Sequence, residues 1–337
     1  MQAFFTNLVV RRVSAVFVAE GIQGQKIWAQ DCSTQQKASW HCPGCKGEVR
    51  LKRGPLLAAH FAHVSLADDC QSFSEGETAE HLSGKLLLAN WAKGSELEAY
   101  LPELKQRPDV LWGNLAMEFQ CSRLSFDRFL ERTKNYIEQG YAPWWILGEK
   151  FHPKQRLSDF QKACCYYEPV SGIKLWLLCE KTQTIQLCYN LQWHYQKGHL
   201  YERTHFQHGQ QNLRSILLAQ PDVRTDFVWQ REAFKQALRQ KLMRCAEKVL
   251  LLQERLYVQA AHLLYLPDWC YEASRYFFFF EEELLYLRWF ILQTSSFNQW
   301  FEQMEKNLPK WHFPLVSRTS ILQKVYEESC LLAEIKK

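Results

Sequence analysis

No uninterrupted apolar run in this sequence is long enough to cross a membrane. A transmembrane helix needs about 18 or more consecutive apolar residues, and the aromatic run Phe277–Phe280 is followed directly by three glutamates. The N-terminus places apolar residues before Arg11 and Arg12, the reverse of the order in a secretory signal peptide. We therefore expect a cytoplasmic protein without a membrane span.

Extreme composition is also absent. Hydrophobic residues make up 47% and charged residues 23% of the 337 residues, and neither internal repeats nor low-complexity segments are visible. This composition is typical of a folded globular protein and excludes a disordered one. The formal net charge of +5 is compatible with a nucleic-acid partner but does not by itself indicate one.

The twelve cysteines lack regular spacing, apart from one Cys-x-x-Cys. A chain of this length is not a small disulfide scaffold, so we expect reduced thiols. The exception is Cys42-Pro43-Gly44-Cys45, which His60 and His63 follow after a short interval. Thiolates and imidazoles at such spacing suit a tetrahedral structural Zn²⁺. The predicted ligands are Cys42, Cys45, His60 and His63, with Cys70 or Cys32 as the alternative to one histidine.

The sequence does not decide whether His60 and His63 both bind the metal. In a strand, His60 and His63 would point to opposite faces, whereas a helical turn would place them on one side. Two buried thiols and two surface histidines without a metal are the alternative interpretation. Basic residues flank the motif and could contact a phosphate backbone, although a solvated basic face is the more common outcome; they are Lys46, Arg50, Lys52 and Arg53.

Residues 75–93 show the apolar spacing of a helix. Glu77, His81 and Lys85 recur at intervals of four, so they share one side of it. Together they could supply a metal-binding acid, a proton-transfer group and a phosphate-binding cation. A salt-bridged helix face is the alternative interpretation.

Two short apolar stretches after this helix each contain one acid. Residues 107–111 and 115–120 predict a β-hairpin, with Asp109 in the first strand and Glu118 in the second. An acid in an apolar strand is costly unless it is paired, and Mg²⁺ or Mn²⁺ between the two acids would pair them. The alternative is a surface hairpin whose acids face water. Pro108-Asp109 followed by Glu118-x-Gln120 resembles the PD-(D/E)xK nuclease superfamily, with Gln120 where lysine usually stands.

Further elements surround the hairpin. A strand is predicted at residues 96–101 and a buried strand at residues 143–148. Between them, a helix is predicted to begin after Ser125 and to end at Gly140. The resulting order of helix, three strands, helix and strand resembles the α-β-β-β-α-β restriction-endonuclease-like core of that superfamily. Two more strands are predicted at residues 173–179 and 184–189.

The C-terminal half shows no catalytic motif. Apolar residues from Leu238 to Leu256 follow the 4-3 spacing of one long amphipathic helix. Its other positions are rich in Lys and Arg, which could follow a DNA backbone but are more often a solvated face. Residues 272–304 are densely aromatic and predicted to be helical.

Several motifs, in one order, resemble the competence protein CoiA family. They are Cys42-Pro-Gly-Cys45, His60-Phe-Ala-His63, Glu77-Thr-Ala-Glu-His81-Leu-Ser-Gly-Lys85, Arg107-Pro-Asp109-Val, Met117-Glu118-Phe-Gln120-Cys-Ser122, Glu131-Arg132 with Tyr136, and Trp145-Ile-Leu-Gly148. The likeness begins near Val16, so the true start is expected later than Met1.

The resemblance implies a multidomain protein of mixed α+β or α/β class. Its expected parts are a zinc-finger-like module at residues 1–73, a nuclease-like domain at 74–200 and a mainly helical domain at 201–337. Glu77, Asp109, Glu118 and Gln120 carry over as the active-site set, with His81 and Lys85 beside them and Mg²⁺ or Mn²⁺ as cofactor. The implied role is in natural transformation, on incoming single-stranded DNA and beside recombination proteins. A non-catalytic DNA-binding adaptor and a restriction or repair endonuclease are the alternatives.

Overall fold

The computed structural model describes residues 15–16, 18–33, 39–43, 45–54, 57–65, 78–223, 227–308 and 310–335. The chain divides into two compact units. The first comprises Met1–Ser122, Glu131–Ile146 and Leu178–Gln183, and the second comprises Arg123–Leu130, Leu147–Leu177 and Thr184–Lys337. The three domains predicted from the sequence, at residues 1–73, 74–200 and 201–337, remain a prediction.

The described residues combine strands and helices, so the chain is of mixed α/β class. The strands are β1 (Ala15–Val16), β2 (Val18–Glu20), β3 (Lys26–Trp28), β4 (Trp40–His41), β5 (Glu48–Gly54), β6 (Leu57–His63), β7 (Glu96–Leu97), β8 (Val110–Trp112), β9 (Leu115–Gln120), β10 (Ala142–Gly148), β11 (Tyr166–Glu168), β12 (Gly172–Cys179), β13 (Thr184–His194) and β14 (Gly198–Gln207). The helices are α1 (Ala79–Trp91), α2 (Phe126–Glu138), α3 (Asp159–Ala163), α4 (Leu213–Leu217), α5 (Arg231–Met243), α6 (Glu247–Tyr257), α7 (Phe277–Phe280), α8 (Glu283–Phe290), α9 (Phe297–Asn307) and α10 (Arg318–Leu332).

The N-terminal strands form a six-stranded sheet in the order β1-β6-β5-β4-β2-β3. Strands β2 and β3 form a hairpin, with Gly24 in the left-handed conformation at its turn. Alternate residues point inward and build a small core in which the rings of Trp40 and Phe61 lie 5.3 Å apart. This core supports the cysteine turn between β4 and β5.

The elements around the two acids follow the predicted order of α1, β7, β8, β9, α2 and β10. Strand β9 lies between β10 and β8, and β7 lies on the outer side of β8. Helix α1 packs closely on β9, because the α-carbon of Gly84 faces the buried ring of Phe119. A β-carbon at position 84 would lie 2.0 Å from that ring. The glycine therefore sets the distance between helix and strand.

Helix α2 begins and ends where the sequence predicted. The backbone N–H of Arg128 donates to Ser125 Oγ at 3.3 Å, so Ser125 is the N-cap. Gly140 has a φ of 80° and follows the last turn, where the N–H of Tyr141 donates to the carbonyl of Tyr136 at 2.9 Å. This is the left-handed helix ending that glycine favours.

In the second unit, β13 lies between β12 and β14, and β11 pairs with β12. The strands predicted at 173–179 and 184–189 are thus present, and β13 extends further to His194. Phe277 of the aromatic run stacks on Trp229 with a centroid separation of 4.6 Å, and three of the four phenylalanines of this run are buried. Among the described residues, no helix is long and apolar enough to span a membrane.

One long helix from Leu238 to Leu256 was predicted, and that prediction is wrong. The chain forms α5 and α6 instead, and Cys245 between them has a φ of 53°. The N–H of Ala246 donates to the carbonyl of Lys241 at 2.9 Å, which closes α5 with a left-handed residue. The apolar spacing continues because each short helix buries its own apolar side.

The basic positions of α5 and α6 are largely paired with acids of the same unit. Lys235 lies 2.6 Å from Asp268, and Lys248 lies 3.6 Å from Glu281. The remaining pairs are Arg231 with Asp268 and Glu272, Lys241 with Glu282, and Arg255 with Glu283. These acids offset much of the positive charge that the sequence suggested for a DNA contact.

Candidate functional site

The β8–β9 hairpin places the two predicted acids near each other. Its antiparallel register pairs Val110 with Met117 and Leu111 with Ala116. Carried one residue further, the same register would bring Asp109 beside Glu118, and the charges of the two carboxylates interact. Pro108 precedes Asp109 and favours the extended backbone that leads into β8.

Asp109 is held by donors from α1 and β9. Its Oδ2 accepts a hydrogen bond from the backbone N–H of Phe119 at 2.8 Å and lies 3.2 Å from His81 Nε2. Its Oδ1 lies 3.7 Å from Lys85 Nζ. Burial raises the pKa of Asp109, but the charges of His81 and Lys85, with these hydrogen bonds, outweigh burial and hold the pKa well below its ordinary value. Asp109 is therefore ionised at neutral pH.

Glu118 is 3% exposed and contacts α2. Its Oε1 accepts a 2.6 Å hydrogen bond from the Tyr136 hydroxyl and a second, short one from Arg132 Nη2. Burial raises the pKa of Glu118 above its ordinary value, since Arg132 and Tyr136 lower it by less and the charge of Asp109 adds to the increase. The two acids thus differ in their tendency to hold a proton.

Each carboxylate is fixed through one of its two oxygens. Asp109 is fixed by donors to Oδ2, and Glu118 by donors to Oε1. Glu118 Oε2 makes no hydrogen bond with the residues that the structure describes. Oδ1 of Asp109 and Oε2 of Glu118 are therefore the oxygens that a bound cation would meet.

Lys85 is 1% exposed and lies among acids. Its Nζ donates to Glu98 Oε1 at 2.7 Å, and Asp109 is its second acidic neighbour. Glu98 follows β7 with a φ of 48°, and its N–H donates to the carbonyl of Asp109 at 3.0 Å. Arg107 Nη1 lies 3.8 Å from the other oxygen of Glu98. On the side of α1 that was predicted to carry functional residues, Lys85 is therefore shielded from solvent.

His81 and Gln120 lie on either side of the acids in the sequence. The His81 ring stacks on Phe119, with centroids 5.9 Å apart and planes 17° apart, and this orients Nε2 towards Asp109. Gln120 donates its amide Nε2 to the carbonyl and the hydroxyl of Ser122, at 3.0 and 3.2 Å. Glu77, predicted as a third acid, lies outside the described residues.

A second group of candidate ligands lies in the N-terminal sheet. The ligand atoms of Cys42, Cys45 and His63 all lie within 4.8 Å of one another. A tight turn places both thiols: the N–H of Lys46 donates to the carbonyl of Cys42 at 2.8 Å, and Lys46 takes a left-handed φ of 59°. His63 Nε2 then lies 3.3 Å from Cys45 Sγ. This arrangement can hold a structural metal ion.

His60 does not join this group, which corrects the predicted four-ligand set. Residues 57–63 form a strand, so His60 and His63 point to opposite faces, and His60 instead lies opposite Lys52 in the register of β5 and β6. Cys32 is buried in the same small core but is not part of the group. Cys70 lies outside the described residues. Within the described ranges, no other three such side chains form a group of this kind.

Three residues of the acidic site were not assigned a role from the sequence. Arg132 and Tyr136 lie four apart on α2, which signals a shared helix side, but their contact with Glu118 depends on tertiary packing. The sequence did not indicate a role for Glu98, because its position depends on its own left-handed backbone conformation, directly after the two-residue strand β7.

The chain thus combines an N-terminal sheet that carries a Cys₂His group with a mixed α/β region in which the buried Glu118 lies near Asp109. The family model described as "Competence protein CoiA, N-terminal domain" matches residues 26–73. The one described as "Competence protein CoiA, nuclease-like domain" matches residues 77–221. Together these matches cover more than half of the chain, which belongs to the competence protein CoiA family.

A curated relative agrees with this assignment. "Competence protein CoiA" of Bacillus subtilis (strain 168) is 37% identical over 152 residues, which cover 43% of this chain and 40% of the relative. The similarity therefore spans about two fifths of each protein. No solved structure matches the chain significantly.

Proposed function

We propose that the region around Asp109 and Glu118 is a metal-dependent nuclease site of the PD-(D/E)xK type that hydrolyses DNA phosphodiester bonds. The observation that carries this proposal is the placement of Asp109, directly before β8, beside the buried Glu118 of β9, with Lys85 and His81 next to Asp109. The predicted order of elements from α1 to β10 supports it, as does the match to a nuclease-like domain.

The donor set fits a hard divalent cation. Oδ1 of Asp109 and Oε2 of Glu118 are carboxylate oxygens, which suit Mg²⁺ or Mn²⁺. The hydrogen bonds that hold each carboxylate go to its other oxygen. Glu77 would add a third acid. When bound, the ion would supply Lewis-acid stabilisation of the scissile phosphate and an activated water.

The surrounding residues have separate roles in this proposal. Lys85 supplies the positive charge that Gln120 cannot, since its ammonium lies beside Asp109. His81 can move a proton at the Asp109 side of the site. The amide nitrogen of Gln120 is bonded to Ser122, so its amide oxygen is the atom that can accept a hydrogen bond from the attacking water.

The Cys₂His group would hold Zn²⁺ in a structural role. Thiolate and imidazole ligands at a tight turn match a zinc-finger-like module, and Cys70 is the fourth ligand that we propose. The core residues around the turn form a small cluster, so bound zinc would contribute to the folding of this module.

The cellular role that we propose is in natural transformation, in the cytoplasm, on incoming single-stranded DNA that is then recombined. The relative from Bacillus subtilis carries the name of a competence protein, and this name supports the role. Recombination proteins are the partners that this role implies.

A non-catalytic DNA-binding adaptor is the second candidate. Gln120 favours it, because lysine is the residue that usually positions the attacking water in this superfamily and Gln120 is uncharged. In that case the fold would bind DNA, and the acids would serve only to organise the site.

The test is cleavage of labelled single- and double-stranded DNA with Mg²⁺ or Mn²⁺. The wild type is compared with Asp109→Asn and Glu118→Gln, which keep the shape of each side chain and remove its charge. Zinc is left in place. Glu131→Gln is the matched control, because Glu131 is an exposed acid on α2.

Metal-dependent cutting by the wild type and by Glu131→Gln, lost in both site variants, is the expected result. Salt-sensitive DNA binding without cutting in all four proteins would replace the nuclease with the adaptor. Cutting with an unchanged transformation frequency in a deletion strain would indicate a restriction or repair endonuclease instead.

A further inference from the structure

Glu98 connects the helix that carries Lys85 to Asp109, the residue directly before β8. Its side chain is 9% exposed and forms a 2.7 Å ion pair with Lys85. Its backbone N–H donates to the carbonyl of Asp109. One residue therefore contacts Lys85 through its carboxylate and Asp109 through its main chain.

The backbone of Glu98 is unusual for such a residue. A φ of 48° is left-handed, a conformation that is unfavourable for a residue with a β-carbon. Glycine would fit the conformation better, but it has no carboxylate to offer Lys85. The buried ion pair and the hydrogen bond to Asp109 stabilise the strained conformation.

Among the described residues, Lys85 is shared unequally between the carboxylates of Glu98 and Asp109. It lies at hydrogen-bonding distance from Glu98, but its distance of 3.7 Å from Asp109 Oδ1 is too long for a hydrogen bond. Without the charge of Glu98, Asp109 would be the nearest acid to Lys85 among the residues that the structure describes, and the ammonium would be drawn towards Oδ1. Oδ1 of Asp109 would then be occupied by the lysine.

We propose that Glu98 is a positioning residue that holds Lys85 near Asp109 but away from Oδ1. This inference rests on the proposed function, because it concerns the oxygen that would bind Mg²⁺ or Mn²⁺. Glu98 itself touches neither the substrate nor the ion. It keeps the ammonium close enough to act on a phosphate and prevents it from competing with the cation.

The test is a double-mutant cycle read by Mn²⁺ binding in the full-length, zinc-loaded protein. The variants are Glu98→Gln, Lys85→Met and the double variant, with Mn²⁺ affinity measured by calorimetry and Asp109→Asn as the blank for binding elsewhere. Glu96→Gln is the matched control, since Glu96 is an exposed acid on β7, two residues before Glu98. Thermal unfolding checks that each variant is folded.

We expect Glu98→Gln to weaken Mn²⁺ binding roughly tenfold, a typical effect for a residue that orients a metal ligand. In the Lys85→Met background, the same change should alter affinity by less than about twofold, because the competing ammonium is gone. Glu98→Asp keeps the charge and should retain most of the affinity. A general structural defect would weaken binding equally in both backgrounds.

The outcomes separate the two proposals. Mn²⁺ binding by the wild type that Glu98→Gln leaves unchanged, or weakens equally with and without Lys85, overturns the role of Glu98. Mn²⁺ binding without DNA cutting overturns the nuclease, while the cycle still decides the role of Glu98. A wild type that binds no Mn²⁺ beyond the Asp109→Asn blank overturns both.

Discussion

The hydroxyl of Tyr136 donates a 2.6 Å hydrogen bond to Oε1 of Glu118, the same oxygen that Arg132 contacts. Both donors come from α2, and the acid comes from β9. A buried carboxylate thus determines how one helix packs on the hairpin. This contact leads to the first prediction.

Tyr136→Phe should lower the free energy of unfolding by about 1–2 kcal/mol, because a buried acceptor loses a donor. The hydrogen bond lowers the pKa of Glu118, so its loss should raise that pKa further. Urea unfolding at pH 7 measures the change in stability. Tyr141→Phe is the matched control, since the ring of Tyr141 packs edge-on against Tyr136. Equal losses in both variants would contradict the role of this hydrogen bond.

Gly84→Ala should destabilise the protein by about 1–3 kcal/mol, because the added methyl group would overlap the ring of Phe119. At an ordinary helix position the same change would stabilise by about 1 kcal/mol, so the two expectations differ in sign. Asn90→Ala, at an exposed position of α1, is the control. Combining Gly84→Ala with Phe119→Leu should restore part of the stability.

Cys245→Gly should stabilise the protein by about 1 kcal/mol, since glycine adopts the left-handed conformation between α5 and α6 without a β-carbon penalty. Cys245→Ala retains the β-carbon and should change stability little. Chemical unfolding of the three proteins measures the difference. A loss of stability in the glycine variant would indicate a continuous helix.

His63→Ala should reduce zinc content well below about one ion per chain, whereas His60→Ala should retain it. The reason is that, of these two histidines, His63 lies within ligand distance of Cys42 and Cys45 and His60 does not. Elemental analysis of the purified proteins measures the metal. Equal retention in both variants would remove His63 from the ligand set.

Glu281→Gln should destabilise the protein by about 1 kcal/mol at pH 7. Burial raises the pKa of Glu281, but Lys162, Lys248 and His199 lower it more, so the folded-state pKa lies below the ordinary value. The contribution is thus present above the unfolded pKa and is lost as pH falls through the lower folded one.

The difference between wild type and Glu281→Gln should therefore shrink as unfolding is measured from pH 7 towards acid. Glu305→Gln, an exposed acid on α9, should show little difference at any pH. A stability difference between wild type and Glu281→Gln that does not change with pH would show that the charge of Glu281 is not its cause.

Local signals in the sequence were sufficient for the hairpin and its helices. Alternation placed Glu118 in β9, and the serine and glycine at the ends of α2 act as predicted. The proximity of Asp109 and Glu118 follows from a short turn and needs no long-range information. For the same reason, both acids could be predicted as neighbours.

Contacts that depend on tertiary packing could not be predicted. The apolar spacing from Leu238 to Leu256 is the same for one helix and for two, because it reports burial and not backbone direction. Cys245 gives no sign of its left-handed φ, since glycine or asparagine is the usual residue there. Glu98 was missed because a non-glycine residue rarely adopts this conformation.

The fixing of each acid through a single oxygen has an entropic consequence. A free carboxylate rotates among several orientations, and a ligand that binds it must restrict that motion. Asp109 and Glu118 lose this freedom when the chain folds, through donors on α1, α2 and β9. Whatever binds the two remaining oxygens therefore meets side chains that are already ordered, and the affinity it gains comes from a smaller loss of entropy on binding.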